Sequence, residues 1–444
     1  MDEKQFASLP SKTIFIKLVI PSMISMIFSS IYFIFDGIFV GKFIGSEALA
    51  AVNIVGPVFS IIFASSNMIA VGSSVKVSIA LGKKDFHQAS RIFSTSLLTI
   101  SLLGLFLGIV FLMFENPILT LLINDDSLKV MAKKYVNIFV YFLPFIMPLF
   151  AMDNFTRACG KAKYNMYVNV FTSLINILLD FILLYVFKKG IIFAALASCV
   201  SMVIGAIWLY LPFILKKNTL RFIKPDLPLN ELLAIIHLGV SDFLNSSAGG
   251  ILDIIINILL LKYGGVNGVA SYGIIMYIGS LFFSIIYGMS DAVTPAVSYN
   301  YGAKNIKKTR ELYQICRAFA VAIALILLIT LQLFPVAIAS LFIKSNNVEL
   351  INISVVAIRI TALSYLFSSM NIVYSSFMVA FNMARVANIL MLLKSIIFPI
   401  VTMFILINIF KLNGIFLSTT ISAILTFIFA SFFWHQVQNN IVEI

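Results

Sequence analysis

Charge is what this chain has least of. Only 11% of its 444 residues are Asp, Glu, Lys or Arg, where a soluble domain carries about a quarter. That scarcity excludes an ordinary water-soluble globule, which has too much surface to cover with so few ions. Cysteine is scarce as well. Cys159, Cys199 and Cys316 have no motif spacing, so no disulfide framework is implied and they are expected to be packing residues. His87, His237 and His435 are far apart in sequence, and no metal site is expected from them. There is no GxxxxGK[ST] loop and no dinucleotide fingerprint, hence no visible means of using ATP and no expected cofactor. No paired nucleophile and base can be found, so an enzyme is not expected.

What the chain has in abundance is apolar side chains, 61% of the total, with a mean hydropathy of +1.05. Stretches of roughly 20 apolar residues, enough to cross the hydrocarbon core, recur along the whole length. The expected spans run from Thr13–Val40 to Ile191–Leu215 in the first half and from Leu232–Leu261 to Ile415–Trp434 in the second. That makes twelve transmembrane helices and an all-α membrane protein. The first apolar run continues from Thr13 to Asp36 with no small-residue cleavage site after it. It is too long for a signal-peptide core and is expected to be a retained helix. Basic residues concentrate in alternate loops, which places both termini in the cytoplasm of a multi-pass plasma-membrane protein. On this topology Lys83 and Lys307 face the cytoplasm, and Lys188 and Lys344 the exterior. The net charge of +13 then belongs to loops that meet anionic membrane lipids, with no nucleic acid expected as a partner.

The chain is also written twice. Ser78-Ile79-Ala80-Leu81-Gly82-Lys83-Lys84 returns 220 residues later as Ser298-Tyr299-Asn300-Tyr301-Gly302-Ala303-Lys304, and Gly45–Ala50 aligns at the same offset with Gly265–Ala270. Phe187–Ile191 has a looser echo in Phe410–Ile415. Two duplicated halves in a very apolar chain are the mark of a secondary transporter whose substrate site lies between the repeats. An even number of helices per repeat means that both halves enter the membrane in the same direction. They are then related by a pseudo-two-fold axis along the membrane normal. The expected units are an amino-terminal six-helix bundle (1–215), a cytoplasmic linker (216–231) and a carboxyl-terminal six-helix bundle (232–444), facing each other across a cleft.

Polar residues in the helices fall at steps of three or four, on single faces. Small and hydroxyl side chains in such stripes commonly serve as interhelical glue. Carboxylates are another matter, since a charge at the bilayer centre costs about 2.5–3.5 kcal/mol even on a lenient scale. Asp36, Asp180, Asp253 and Asp291 have no Lys or Arg one helical turn away. They are expected to face an aqueous cavity, bind a cation or carry a proton. Asp153 differs, with Arg157 four residues on to form a local ion pair, and Asp242 lies nearer a helix end. The sharpest group is Asp36 on the first helix with Asn176 and Asp180 on one face of the fifth, to which Ser198 on the sixth adds a hydroxyl. Two carboxylates, an amide and a hydroxyl make a candidate H⁺ or Na⁺ site. Pro21 removes a backbone donor and can bend the first helix. Asp253, Asn257 and Asp291 are the candidates for holding cationic substrates in the cleft.

Asp36-Gly37-Ile38-Phe39-Val40-Gly41, Ser78–Gly82, Arg157-Ala158-Cys159-Gly160-Lys161, Asn176-Ile177-Leu178-Leu179-Asp180 and Pro295 with Ser298–Ala303 together resemble the multidrug and toxic compound extrusion (MATE) family. The likeness covers essentially the whole chain and is greatest to the bacterial branch with an aspartate-containing amino-terminal site. The resemblance implies two six-helix bundles forming a V-shaped cleft. It implies secondary active efflux of amphipathic, often cationic compounds in exchange for H⁺ or Na⁺ by alternating access, with the protein expected to be a monomer. It further implies that Asp36, Asn176, Asp180 and Ser198 form the cation network, and that bending at Pro21 is linked to release. The seventh helix lacks the Glu that some members place there and offers Asp253 instead. A lipid-linked precursor flippase of a related superfamily is the alternative. It would be expected to show a cationic cleft for pyrophosphate, whereas the carboxylates here make the cleft acidic.

Overall fold

The computed structural model describes residues 2–123, 125–343 and 347–442, with side chains except at Ser46, Gly250, Ile251 and 436–442. Lys344 lies outside the described residues. Twelve long helices follow a short helical turn at Gln5–Ser8. The first six are α1 (Ser11–Ile44), α2 (Glu47–Gly82), α3 (Phe86–Leu122), α4 (Asp126–Ala158), α5 (Ala162–Val186) and α6 (Ile191–Ile214). A continuous helical stretch, Leu229–Gly302, breaks at Gly265 (φ 58°) into α7 (229–264) and α8 (266–302). The last four are α9 (Ile306–Leu333), α10 (Val348–Ala380), α11 (Ala384–Phe410) and α12 (Leu412–Val442). Most helices run several residues past the spans expected from hydropathy. An apolar run marks the hydrocarbon core, whereas the helix continues through the interface until a cap satisfies its last carbonyls.

The duplication is visible in the backbone. Left-handed residues occur in pairs: Gly45 with Gly265, Lys84 with Lys304, Gly160 with Asn382, and Lys188 with Lys411, while Lys216 closes α6 with no counterpart among the described residues. Each pair ends equivalent helices in the two halves. After Lys84, Asp85 donates its N–H to the Ala80 carbonyl and its side chain caps Gln88 N. After Lys304, Asn305 does the same toward Asn300 O and Lys308 N. These are left-handed C-caps joined directly to N-caps, a turn used twice.

Within the first lobe α1 packs on α5, and α4 packs on α2, α3 and α6; in the second, α10 takes the position of α4 against α8, α9 and α12. Aromatic clusters fill the lobes, with Phe93 stacked on Phe213 at 5.1 Å in one and Tyr313 on Trp434 at 4.4 Å in the other. The lobes meet through α2 against α7 and α8 and through α1 against α8. Glycine makes this contact possible. A Cβ on Gly82 would stand 2.0 Å from the Tyr299 carbonyl oxygen, and one on Gly302 would stand 2.2 Å from that of Ile79. The repeated Ser78–Gly82 and Ser298–Gly302 segments therefore touch across the pseudo-two-fold axis, and their small residues allow backbone to reach backbone. Gly72 and Gly239 extend the seam against Ile235 and Met68.

All of this seam lies toward the end of the molecule that carries the N-terminus. Asn300 Nδ2 donates to Phe6 O at 3.0 Å and Lys308 Nζ to Ala7 O and Leu9 O at 2.6 Å. Among the described residues no inter-lobe hydrogen bond lies farther from that end than Ser30–Ser284, at mid-depth. Beyond it the lobes diverge into the cleft.

Candidate functional site

A cavity of about 650 Å³ occupies the cleft, within the usual range for a drug-sized ligand. Its lining residues come from α1, α2, α4, α5 and α6, and among the described residues Asp291 of α8 is the one contribution from the second lobe. Aromatic and Met side chains such as Phe33, Phe59, Phe139 and Met26 share the wall with amides and hydroxyls.

The structure brings Asp36, Asn176, Asp180 and Ser198 together in this wall. The i, i+4 spacing puts Asn176 and Asp180 on the face of α5 that packs on α1, and Asp36 meets them from α1. Ser198 Oγ donates to Asp36 Oδ1 at 3.4 Å, and Asn176 Nδ2 donates to Ser198 Oγ at 3.1 Å. The Asp180 carboxyl lies beside that of Asp36 and is completely buried. Both of its oxygens and Asn176 Oδ1 are buried without a hydrogen-bond donor. Burying such acceptors unpaired costs on the order of 1–3 kcal/mol each. Three orphan oxygens, two from Asp180 and one from Asn176, beside the Asp36 carboxyl fit a proton or monovalent cation as the missing partner. Irregular helix follows both carboxylates, directly after Asp180 and within a turn of Asp36: a π-helical turn at Val40–Ile44 ends α1, and another at Phe181–Val186 ends α5. Their aromatic rings interlock, Phe43 lying 5.1 Å from Tyr185. Such π turns concentrate at functional sites. Pro21 itself sits in unbroken helix in this conformation.

A second polar group forms the floor of the cavity. Asp153 and Arg157 are ion-paired one turn apart, as the spacing implied, and Arg157 Nη1 also reaches Asp291 Oδ2 at 4.0 Å across the lobe boundary. Asp291 is thus not without a cationic neighbour; its partner comes from another helix, which spacing along one helix does not reveal. Asn169 Nδ2 donates to Asp153 Oδ1 and Ser25 Oγ, both at 2.8 Å.

Asp253 and Asn257 need correction. Asp253 lies 12 residues before the Gly265 break and Asp291 26 residues after it, so their depths differ by about 21 Å. Asp253 accepts from the Tyr272 hydroxyl at 3.1 Å, Asn257 Nδ2 donates back to Asp253 O at 2.9 Å, and neither lines the cavity. The structure therefore does not bring them into this cavity with Asp291. One charged residue escaped notice in the sequence. Lys394 stands ten residues into α11 and donates from Nζ to Asn245 Oδ1 at 3.1 Å, with the Tyr287 hydroxyl at 3.4 Å. Its signal was a lone Lys inside an otherwise apolar span. Among the described residues no group of three or more His, Cys, Asp or Glu could hold a metal ion.

Known proteins share this arrangement. The MatE family model matches residues 21–182 and 250–405, one block in each lobe. The multidrug export protein MepA of Staphylococcus haemolyticus is 27% identical over 428 residues, covering 95% of this chain and 93% of its own. The outward-facing structure of a multidrug resistance MATE family transporter of the MOP superfamily superposes with a TM-score of 0.87 at 25% identity, covering 96% of this chain and 97% of its own. A MATE structure in a bent conformation superposes with a TM-score of 0.89 at 24% identity, covering 100% and 99%. With the family blocks, the twelve-helix fold and the paired lobes in agreement, the chain belongs to the MatE family, the multidrug and toxic compound extrusion transporters.

Proposed function

We propose that this transporter exports amphipathic, often cationic compounds across the plasma membrane in exchange for H⁺ or Na⁺, by alternating access. The observation that carries the reading is the Asp36–Ser198–Asn176–Asp180 chain with its orphan buried oxygens, set in the wall of the substrate-sized cavity. The carboxylate pair takes the coupling cation, which replaces the missing donors. Because α1 carries Asp36 and also lines the cavity, ion uptake that moves α1 changes the room left for substrate. Bending at Pro21 is one such movement, and solved MATE structures in bent and straight conformations show that the fold admits both. Asp291, the second lobe's only lining residue among those described, meets a cationic head group at the floor. Relatives named as multidrug export proteins support the substrate class. The end bearing the N-terminus is assigned to the cytoplasm, which makes the present state outward-open, and the protein works as a monomer among lipids.

A flippase for lipid-linked pyrophosphates is disfavoured, because the one buried cation of the cavity, Arg157, is already engaged by Asp153 and Asp291. Proteoliposome transport with Asp36→Asn and Asp180→Asn tests the proposal. Loss of gradient-driven export with substrate binding retained supports it, and undiminished coupled export in either variant refutes it.

A further inference from the structure

Two polar contacts cross the lobe boundary at the cavity floor, and both place a second-lobe carboxylate against a first-lobe donor. Asn67 Nδ2 of α2 donates to Asp242 Oδ2 of α7 at 2.6 Å, and Arg157 of α4 faces Asp291 of α8 at 4.0 Å. Asp242 also stands beside a polar group inside its own lobe. Asn245, one turn away on α7, is held by Lys394 of α11 and by the hydroxyl of Tyr287 of α8. The charged and titratable groups facing Asp242 are therefore Asp291 and Tyr287 from α8 and Lys394 from α11. Asn67 from α2 is its neutral donor, and Arg157 and Asp153 of α4 lie beyond Asp291. A small cavity of about 50 Å³, whose wall includes Asp242, Asn245, Tyr287 and Asp291 beside apolar side chains such as Val71 and Met391, adjoins these groups and has room for water at its polar side.

We propose that Asp242 is a second proton acceptor whose protonation releases the inter-lobe clamp it forms with Asn67. As a carboxylate, Asp242 accepts a charge-assisted hydrogen bond, which is roughly twice as strong as a neutral one. A proton delivered through water in the adjoining cavity to a carboxylate oxygen removes that advantage. The carboxyl then holds Asn67 as one neutral group holds another. Asn67 is the lever of the first lobe here, because it lies on α2, whose Gly72 and Gly82 form that lobe's side of the seam. Lys394 and Asp291 set the charge on either side, so the acceptor does not depend on Asp36 or Asp180. The inference rests on the alternating-access reading, but it concerns a different proton and a different pair of helices.

The test separates the two. Spin labels at Lys163 and Arg385, exposed at the starts of α5 and α11, report the separation of the lobes at their closed end. In full-length protein carrying Asp36→Asn and Asp180→Asn, the lobe-open population is expected to rise as pH falls. Adding Asp242→Asn, which imitates the protonated acid and keeps the shape, is expected to raise that population about tenfold at neutral pH and to flatten its pH profile. Asn67→Ala is expected to raise it without Asp242 being altered. An unchanged pH profile after Asp242→Asn overturns the proposal, and so does an Asn67→Ala protein whose lobes stay closed. If the Asp36–Asp180 reading is itself wrong, the background pair of substitutions leaves transport coupling intact, and the Asp242 comparison remains valid.

Discussion

Replacing Gly82 and Gly302 together by Ala perturbs the lobe seam with the least change in chemistry. The added Cβ atoms would stand 2.0 and 2.2 Å from the Tyr299 and Ile79 carbonyl oxygens. Ordinary van der Waals contact needs about 3.5 Å, so the backbones must part by about 1.5 Å. Neither neighbour is a side chain that could swing away. Overpacking of this kind costs about 1–3 kcal/mol, which corresponds to roughly 5–150-fold in the ratio of closed to open lobes. Alanine also favours helix over glycine by up to about 1 kcal/mol, but that gain is shared by both conformations and cancels from the ratio. The assay is the distance distribution between labels at Lys163 and Arg385. Gly273→Ala serves as the control, since a Cβ there meets nothing within 4 Å. The expected result is a longer distance in the double variant and no change in the control. A distribution like that of the unaltered protein, with unaltered melting temperature, would refute the claim that these glycines set the lobe contact.

Asn176→Ala and Ser198→Ala should weaken coupled export less than Asp36→Asn or Asp180→Asn, because each removes a neutral ligand; initial export rates under one imposed gradient rank all four. Asp291→Asn should impair export of cations more than of neutral compounds of similar size, and an equal loss for both classes would assign it to packing. Asp253→Ala, which removes the acceptor of the Tyr272 hydroxyl, should lower the melting temperature by a few degrees and change export of cations and neutral compounds equally. A cysteine at Lys83 should react with membrane-impermeant reagent only from the cytoplasm and one at Lys188 only from outside; labelling of both from one side would contradict the orientation.

The helices, their number and the repeat were legible because each rests on local pattern. Apolar length marks a span, and a left-handed turn such as Lys84 or Lys304 leaves a Gly-Lys-Lys or Gly-Ala-Lys signature. The Asp36, Asn176, Asp180 and Ser198 group was legible because α5 presents two of its members at i, i+4, and a buried carboxylate on a neighbouring helix has few other uses. Depth and cross-lobe pairing were not. Asp253 and Asp291 carry equal hydropathic cost, yet only the Gly265 turn and the counting of helical rise show that Asp253 lies about 21 Å nearer the open end of the cleft than Asp291 at the floor. Arg157 reads as a local partner for Asp153, and only the packing of α4 toward α8 gives it Asp291 as well. Lys394 disappeared among the basic residues of the loops because its partners, Asn245 and Tyr287, lie 149 and 107 residues away.

The central claim, that Asp36 and Asp180 take up the ion that drives export, is tested most directly in proteoliposomes with pH and Na⁺ gradients imposed separately and substrate efflux followed. One unit of pH supplies about 1.4 kcal/mol, and 100 mV of potential about 2.3 kcal/mol per charge. An exporter coupled through the pair should therefore concentrate substrate roughly tenfold per pH unit, or per tenfold Na⁺ gradient, for each ion exchanged. The account predicts that one of the two gradients drives efflux in the unaltered protein and that neither does so after Asp36→Asn or Asp180→Asn. Undiminished gradient-driven accumulation in either variant would contradict it.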